Sequence, residues 1–101
     1  MEAKELQMDT VKDGCCPIAD AGNRDRVELR GTLRTVTLRP RGGVPALEAE
    51  LYDGSGHITL IWLGRRRIAG IEPGRSLMVE GRIGVQEKMP VMFNPRYELR
   101  S

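Results

Sequence analysis

Aromatic side chains are the scarcest material in this chain: one tryptophan, two tyrosines and one phenylalanine. A surface that stacks rings on planar ligands can draw only on Trp62, Tyr52, Tyr97 and Phe93, so stacking is expected to be sparse. His57 is the only histidine, and the only cysteines, Cys15 and Cys16, are neighbours. These three residues cannot complete a four-ligand zinc site of Cys and His, and no metal is expected. A vicinal cysteine pair is also poorly placed for a structural disulfide, which normally joins distant segments. The two read as reduced thiols, at least one of them packed as a small hydrophobe. No apolar run approaches the roughly 18 residues of a membrane-spanning helix, and the charged opening MEAKELQMDT is unlike a signal peptide. A cytoplasmic protein with no membrane partner is the expectation.

What the chain does hold is arginine, unevenly distributed. Its 101 residues make one domain with room for a single core. Residues 1–25 carry Lys4, Lys12 and Arg24 against 6 acidic residues, a net of −3. From Arg26 onward 13 basic residues face 8 acidic ones, a net of +5, and only Lys88 among the 13 is not arginine. A lysine-rich surface would serve general solubility, whereas the planar arginine fork pairs with phosphate bidentately and stacks on bases. The bias favours nucleic acid as partner, although high-GC coding enriches arginine too.

Around Leu6, Met8 and Val11 the pattern is weakly helical, and Gly14, Pro17 and the run from Ala19 to Asn23 break it. Residues 1–25 therefore read as an acidic N-terminal arm, mobile or loosely helical over residues 1–14, with Cys16-Pro17-Ile18 laid over the mouth of the domain. From Arg26 the period becomes two: Val27, Leu29 and Leu33 are apolar against Arg26, Glu28, Arg30, Thr32 and Arg34, with Gly31 on the apolar side. Val36 and Leu38 fall on the opposite parity, so one residue near Arg34 or Thr35 is extra and a β-bulge is expected. Bulge and glycine together let a long first strand bend between two sides of a small barrel. A second strand, from Val44 or Ala46 to Tyr52, turns Leu47, Ala49 and Leu51 inward. Asp53-Gly54-Ser55-Gly56 then makes a tight hairpin. The third strand, His57 to Leu63, is apolar on both faces, so part of its outer side should be covered. One or two helical turns over Arg65 to Ala69 and a turn at Ile71-Glu72-Pro73-Gly74 follow. A fourth strand spans Ser76 to Val85, with Leu77, Val79, Ile83 and Val85 on one side and a bend at Gly81. After a turn at Gln86-Glu87-Lys88, a fifth strand carries Val91 and Phe93 and is interrupted by Asn94-Pro95 before Tyr97 and Leu99.

Five strands, a short helix between strands 3 and 4 and a bent, glycine-bearing first strand describe an all-β fold, the five-stranded OB-fold Greek-key barrel, over residues 26–101. An SH3-like barrel normally lacks the helical insert. The segments VELRGTLRTVTLRPRGGVPALEAELYDGSGHITLIWLG, IEPGRSLMVEGRI and NPRYEL, between Val27 and Leu99, resemble the OB-fold wedge domain of RecG-type branched-DNA helicases. The chain is also similar to stand-alone OB-fold nucleic-acid-binding domains. The resemblance implies DNA binding, in the setting of DNA repair or recombination, without the helicase motor. A GxxxxGKS/T phosphate loop is missing, so no ATP hydrolysis is implied. The resemblance also implies aromatic side chains just after the third strand, stacked on the bases of a fork. The matching positions are Leu63 and Arg67, and neither is aromatic.

The expected binding surface is the face of strands two and three, with the loops joining strands one to two and four to five. Arg39 and Arg41 lie in the first loop, Lys88 in the second, Arg65, Arg66 and Arg67 at the end of the third strand, and Arg34 near the first loop. Tyr52 is the best base-stacking ring. Each stacked base is worth about 1–3 kcal/mol and phosphate contacts add a salt-dependent part, so modest, sequence-indifferent affinity for single-stranded or branched DNA is expected. RNA fits the same chemistry.

Each candidate also has a structural reading. Trp62 shares parity with Ile58 and Leu60 and belongs to the core. The Arg65 to Arg67 run fits a solvated short helix equally well, Arg39 and Arg41 an ordinary loop, and Tyr52 a cross-strand pair. Phe93, Arg96 and Tyr97 read as closing the barrel. No enzyme is expected: Glu48 and Glu50 sit two apart on an outer face, and Ser55 and His57 lack an orienting third group and an oxyanion site. No cofactor is expected either. The rival reading is a protein-interaction module, a homodimer or a subunit of a larger complex, with Ile61 and Leu63 in the contact.

Overall fold

The computed structural model describes residues 16–21 and 26–100. Most of the expected acidic arm, with Cys15, lies outside the described residues. Within them the chain is mostly β. A single 3-10 turn, Ile18–Asp20, precedes β1 (Val27–Leu38), β2 (Ala46–Tyr52), β3 (His57–Leu63), β4 (Ser76–Gly81), β5 (Gly84–Gln86), β6 (Met89–Phe93) and β7 (Arg96–Arg100). The strands form one mixed sheet in the order β5-β6-β3-β2-β1-β4-β7. No helix among the described residues is long and apolar enough to cross a membrane.

β1 organises the sheet because it serves two neighbours. Its first half pairs with β4, from Val27↔Gly81 to Thr32↔Ser76, and its second half with β2, from Thr32↔Tyr52 to Leu38↔Leu47. The register shifts between Leu33 and Thr35, so Arg34 is the extra residue and the expected bulge forms there. Gly31 lies at the crossing. A Cβ at this position would stand 2.5 Å from the Tyr52 carbonyl oxygen and 3.1 Å from Leu51 Cγ, so the close approach of backbone to backbone requires glycine.

β2 and β3 pair in register from Ala46↔Leu63 to Tyr52↔His57. Leu47, Ala49, Leu51, Ile58, Leu60 and Trp62 face one main core. Trp62 is 5% exposed, donates its indole N–H to the Pro95 carbonyl at 3.0 Å and meets the Tyr97 ring edge-on, as a core residue should. On the outer side Ala46, Ile61 and Val91 make a second, small buried cluster, which is the covering expected of that face. In the connecting turn Asp53 Oδ1 accepts hydrogen bonds from Ser55 N (2.9 Å), Ser55 Oγ (2.7 Å) and Gly56 N (3.2 Å). The same turn grips the N-terminal segment: Asp53 Oδ2 accepts from Ile18 N at 2.9 Å and Ser55 Oγ from Ala19 N at 3.1 Å. Ile18 and Ala21 are thereby buried in the main core, and half-buried Cys16 packs against it. This part of the expected arm belongs to the folded domain.

Three expectations are corrected. First, residues 64–75 form turns and bends, not a helix. Gly64, Gly70 and Gly74 hold φ of 79°, 85° and 88°, and Pro73 adds a further break, too closely spaced for helical turns. Ile68 and Ile71 are instead pressed into the core, with Ile71 N bonded to Ile68 O at 3.0 Å and Gly74 N to Leu33 O at 2.8 Å.

Second, the described residues hold seven strands where five were expected. The fourth breaks at Arg82 and Ile83, and the fifth at Asn94, where φ is 51°, and Pro95, where its interruption was expected. β6 lies parallel to β3, from Thr59↔Val91 to Ile61↔Phe93, while β7 lies antiparallel to β4. Each break therefore carries the chain from one end of the sheet to the other. Third, Val85 is exposed and does not face the core. At Val85↔Pro90 the β5–β6 pair runs on beyond β3, so no third strand lies beside it.

Candidate nucleic-acid interface

Strand alternation puts three cross-strand rows on the outer face of β1, β2, β3 and β6: Thr32–Tyr52–His57, Thr35–Glu50–Thr59–Val91 and Thr37–Glu48–Ile61–Phe93. Two carboxylates thus occupy its centre, and they engage much of the expected basic surface. Arg41 Nη2 meets Glu48 Oε2 at 3.0 Å, and Arg39 Nη1 meets Glu48 Oε1 at 3.9 Å. Arg34 Nε and His57 Nε2 stand 3.9 and 3.8 Å from the Glu50 carboxylate. Arg41 is the firmly held member, because its Nη1 also donates to Gln86 Oε1 at 3.3 Å and so ties the β1–β2 loop to β5. Arg34 and Arg39 are more than half exposed and their contacts are long, so these pairs contribute little and exchange readily for another anion.

Arg34 sits at the bulge, and its guanidinium carbon lies 4.6 Å from the centroid of the Tyr52 ring. One face of the best stacking candidate is therefore already covered by a cation.

Arg65, Arg66 and Arg67 are different. All three are exposed, and none forms an ion pair or side-chain hydrogen bond with another described residue. Gly64 N bonds to Pro45 O at 2.7 Å and Arg39 N to Ala46 O at 2.8 Å, so the triplet and the Arg39–Arg41 loop emerge at the same end of the sheet. Lys88 is not gathered there. It occupies the β5–β6 turn at φ 68° and borders a cleft with Ile18, Gly56 and His57.

The chain matches no protein-family model and no curated protein. The chemistry of the face stands on its own residues. A further one is Phe93, which by sequence reads as a closing residue of the barrel. It is 42% exposed on the outer face beside Leu63, which is 41% exposed. Asn94 fixes this corner, donating its backbone N–H to Ile61 O at 2.6 Å and accepting from Leu63 N through Oδ1 at 2.9 Å. The sequence did hold the signal, since Met92 belongs to the core and its neighbour must then point outward. An exposed ring and three guanidinium groups unpaired among the described residues therefore share one end of the β3–β6 pair.

Proposed function

We propose that this chain is a non-enzymatic, cytoplasmic nucleic-acid-binding module of the OB-fold type that takes single-stranded or branched DNA with little sequence preference, in DNA repair or recombination. The fold reading is supported by a first strand shared between two ladders and by the parallel β3–β6 pairing. Counting β4 with β5 and β6 with β7 as two bent strands gives the five of an OB barrel, with the 64–75 turn in place of the helix. The likeness to the RecG wedge domain belongs with this reading, without its motor and with Phe93 as an exposed ring on the strand paired with the third.

The observation that carries the function is the Arg65–Arg67 triplet, three adjacent exposed guanidinium groups without a carboxylate among the described residues. Such a cluster suits phosphate, and the exposed ring beside it suits a base. Salt-titrated binding of the full chain to single-stranded, duplex and forked DNA and matched RNA tests it. Changing all three arginines to alanine is expected to weaken binding and to flatten the dependence of log K on log salt by about 0.7 for each phosphate that the variant no longer neutralises.

A second reading, a protein-interaction module, draws on the carboxylates at the centre of the face and the exposed Leu63, Phe93, Val85 and Met89. A stoichiometric protein partner, with no nucleic acid bound at low salt, would make it the right one.

A further inference from the structure

A second group of cations without a carboxylate partner among the described residues lies at the opposite end of this face from the arginine triplet. Where β1 leaves β2 for β4, an open groove of about 520 Å³ is bordered by Arg30, Thr32, Tyr52, Asp53, Ser76 and Arg100. The register explains the gathering, because Tyr52, Thr32, Ser76 and Arg100 form one row across β2, β1, β4 and β7. Thr32 Oγ1 and Ser76 Oγ stand 3.3 Å apart along it. Further along the same strands Arg26 and Arg96 both meet Glu80, at 3.6 and 3.2 Å. Arg30 and Arg100 make no such pair with any described residue. The one carboxylate of the groove, Asp53, already accepts four hydrogen bonds within its turn and from Ile18. Two exposed guanidinium groups without an ion-pair partner among the described residues, two hydroxyls and an aromatic residue suit a phosphodiester and its base.

We infer that this groove is a second phosphate-binding site, which holds a nucleic-acid strand after it has crossed the β2–β3 face from the arginine triplet. This rests on the nucleic-acid reading above. Arg30 and Arg100 contact phosphate oxygens, whichever of the Thr32 and Ser76 hydroxyls accepts from the other donates a further hydrogen bond, and Tyr52 marks the boundary between the two sites. The length of β2 separates them by about 20 Å.

The test uses the full chain and oligothymidylate of about 16 nucleotides, long enough to reach both sites. The R30A/R100A variant is expected to bind about tenfold more weakly, with a shallower salt dependence, while R30K/R100K keeps most of both. Melting temperatures of the variants control for folding. If R30A/R100A binds like the unaltered chain with the same salt slope, while the Arg65–Arg67 variant is weakened, the groove assignment is overturned and the proposed function stands. If the unaltered chain binds no oligonucleotide at low salt, both fall together.

Discussion

Asp53 carries a charge on which both the β2–β3 turn and the N-terminal 3-10 turn depend. Burial pushes its pKa up, but hydrogen bonds from Ile18 N, from the side chain and backbone of Ser55 and from Gly56 N together outweigh it and hold the carboxyl below its ordinary value. A folded pKa below the unfolded one adds stability that is present above the ordinary carboxylate range and is lost as pH falls through the folded value. Denaturant midpoints should therefore fall on acidification below about pH 4. Asp53→Ala should be less acid-sensitive and, at neutral pH, less stable by about 1–2 kcal/mol, the turn being partly solvated. At Gly31 the constraint is steric. The added methyl of Gly31→Ala meets the Tyr52 carbonyl, which the β1–β2 ladder holds in place, so a loss of about 1–3 kcal/mol is expected in thermal melts.

The β5–β6 hairpin turns through Glu87 and Lys88, both at positive φ (54° and 68°). Such a two-residue turn favours Asn-Gly, and left-handed backbone costs an ordinary residue about 1 kcal/mol. E87N/K88G should accordingly raise the melting temperature, and unchanged oligonucleotide affinity in that variant would remove Lys88 from the binding surface. The contrast with other elements shows what sequence can report. Period-two alternation and its slip at Arg34 locate β1, its bulge and the β2–β3 hairpin, because parity states which face a residue takes. Parity does not state where a strand parts from its neighbour, so the break at Arg82–Ile83 is invisible to it and Val85 falls on the wrong side, whereas Asn94-Pro95 announces its interruption by residue type. Arginine's helix propensity suggests a helix at 65–69, and glycine, proline and the burial of Ile68 and Ile71 outweigh it. The site is legible to the same degree. Arg39, Arg41 and Arg65–Arg67 look alike in the chain, and only the register of β1 against β2 brings Glu48 to the first two.

For the molecule as a whole, the N-terminal region divides at Cys16. Ile18 and Ala21 are in the core, so deletion through Ala21 should cost about 2–4 kcal/mol, measured by denaturant unfolding. Deletion of residues 1–15 spares those contacts and removes Glu2, Glu5, Asp9 and Asp13 against Lys4 and Lys12. Oligonucleotide binding should then strengthen at low salt, because a net negative charge that repels phosphate is removed, and unchanged or weaker binding would count against that repulsion.

The sharing of β1 between two ladders also sets a timetable for biosynthesis. Its second half finds β2 almost at once, but Val27 waits for Gly81, about fifty residues later, which is several seconds at the usual synthesis rate of about 5–20 residues per second. Through that interval the first half of the longest strand is an open edge on a nascent chain, and β4, its eventual neighbour, still awaits β7. The newborn protein is therefore most exposed to aggregation, and most in need of a chaperone, between the emergence of β2 from the ribosome and that of β4.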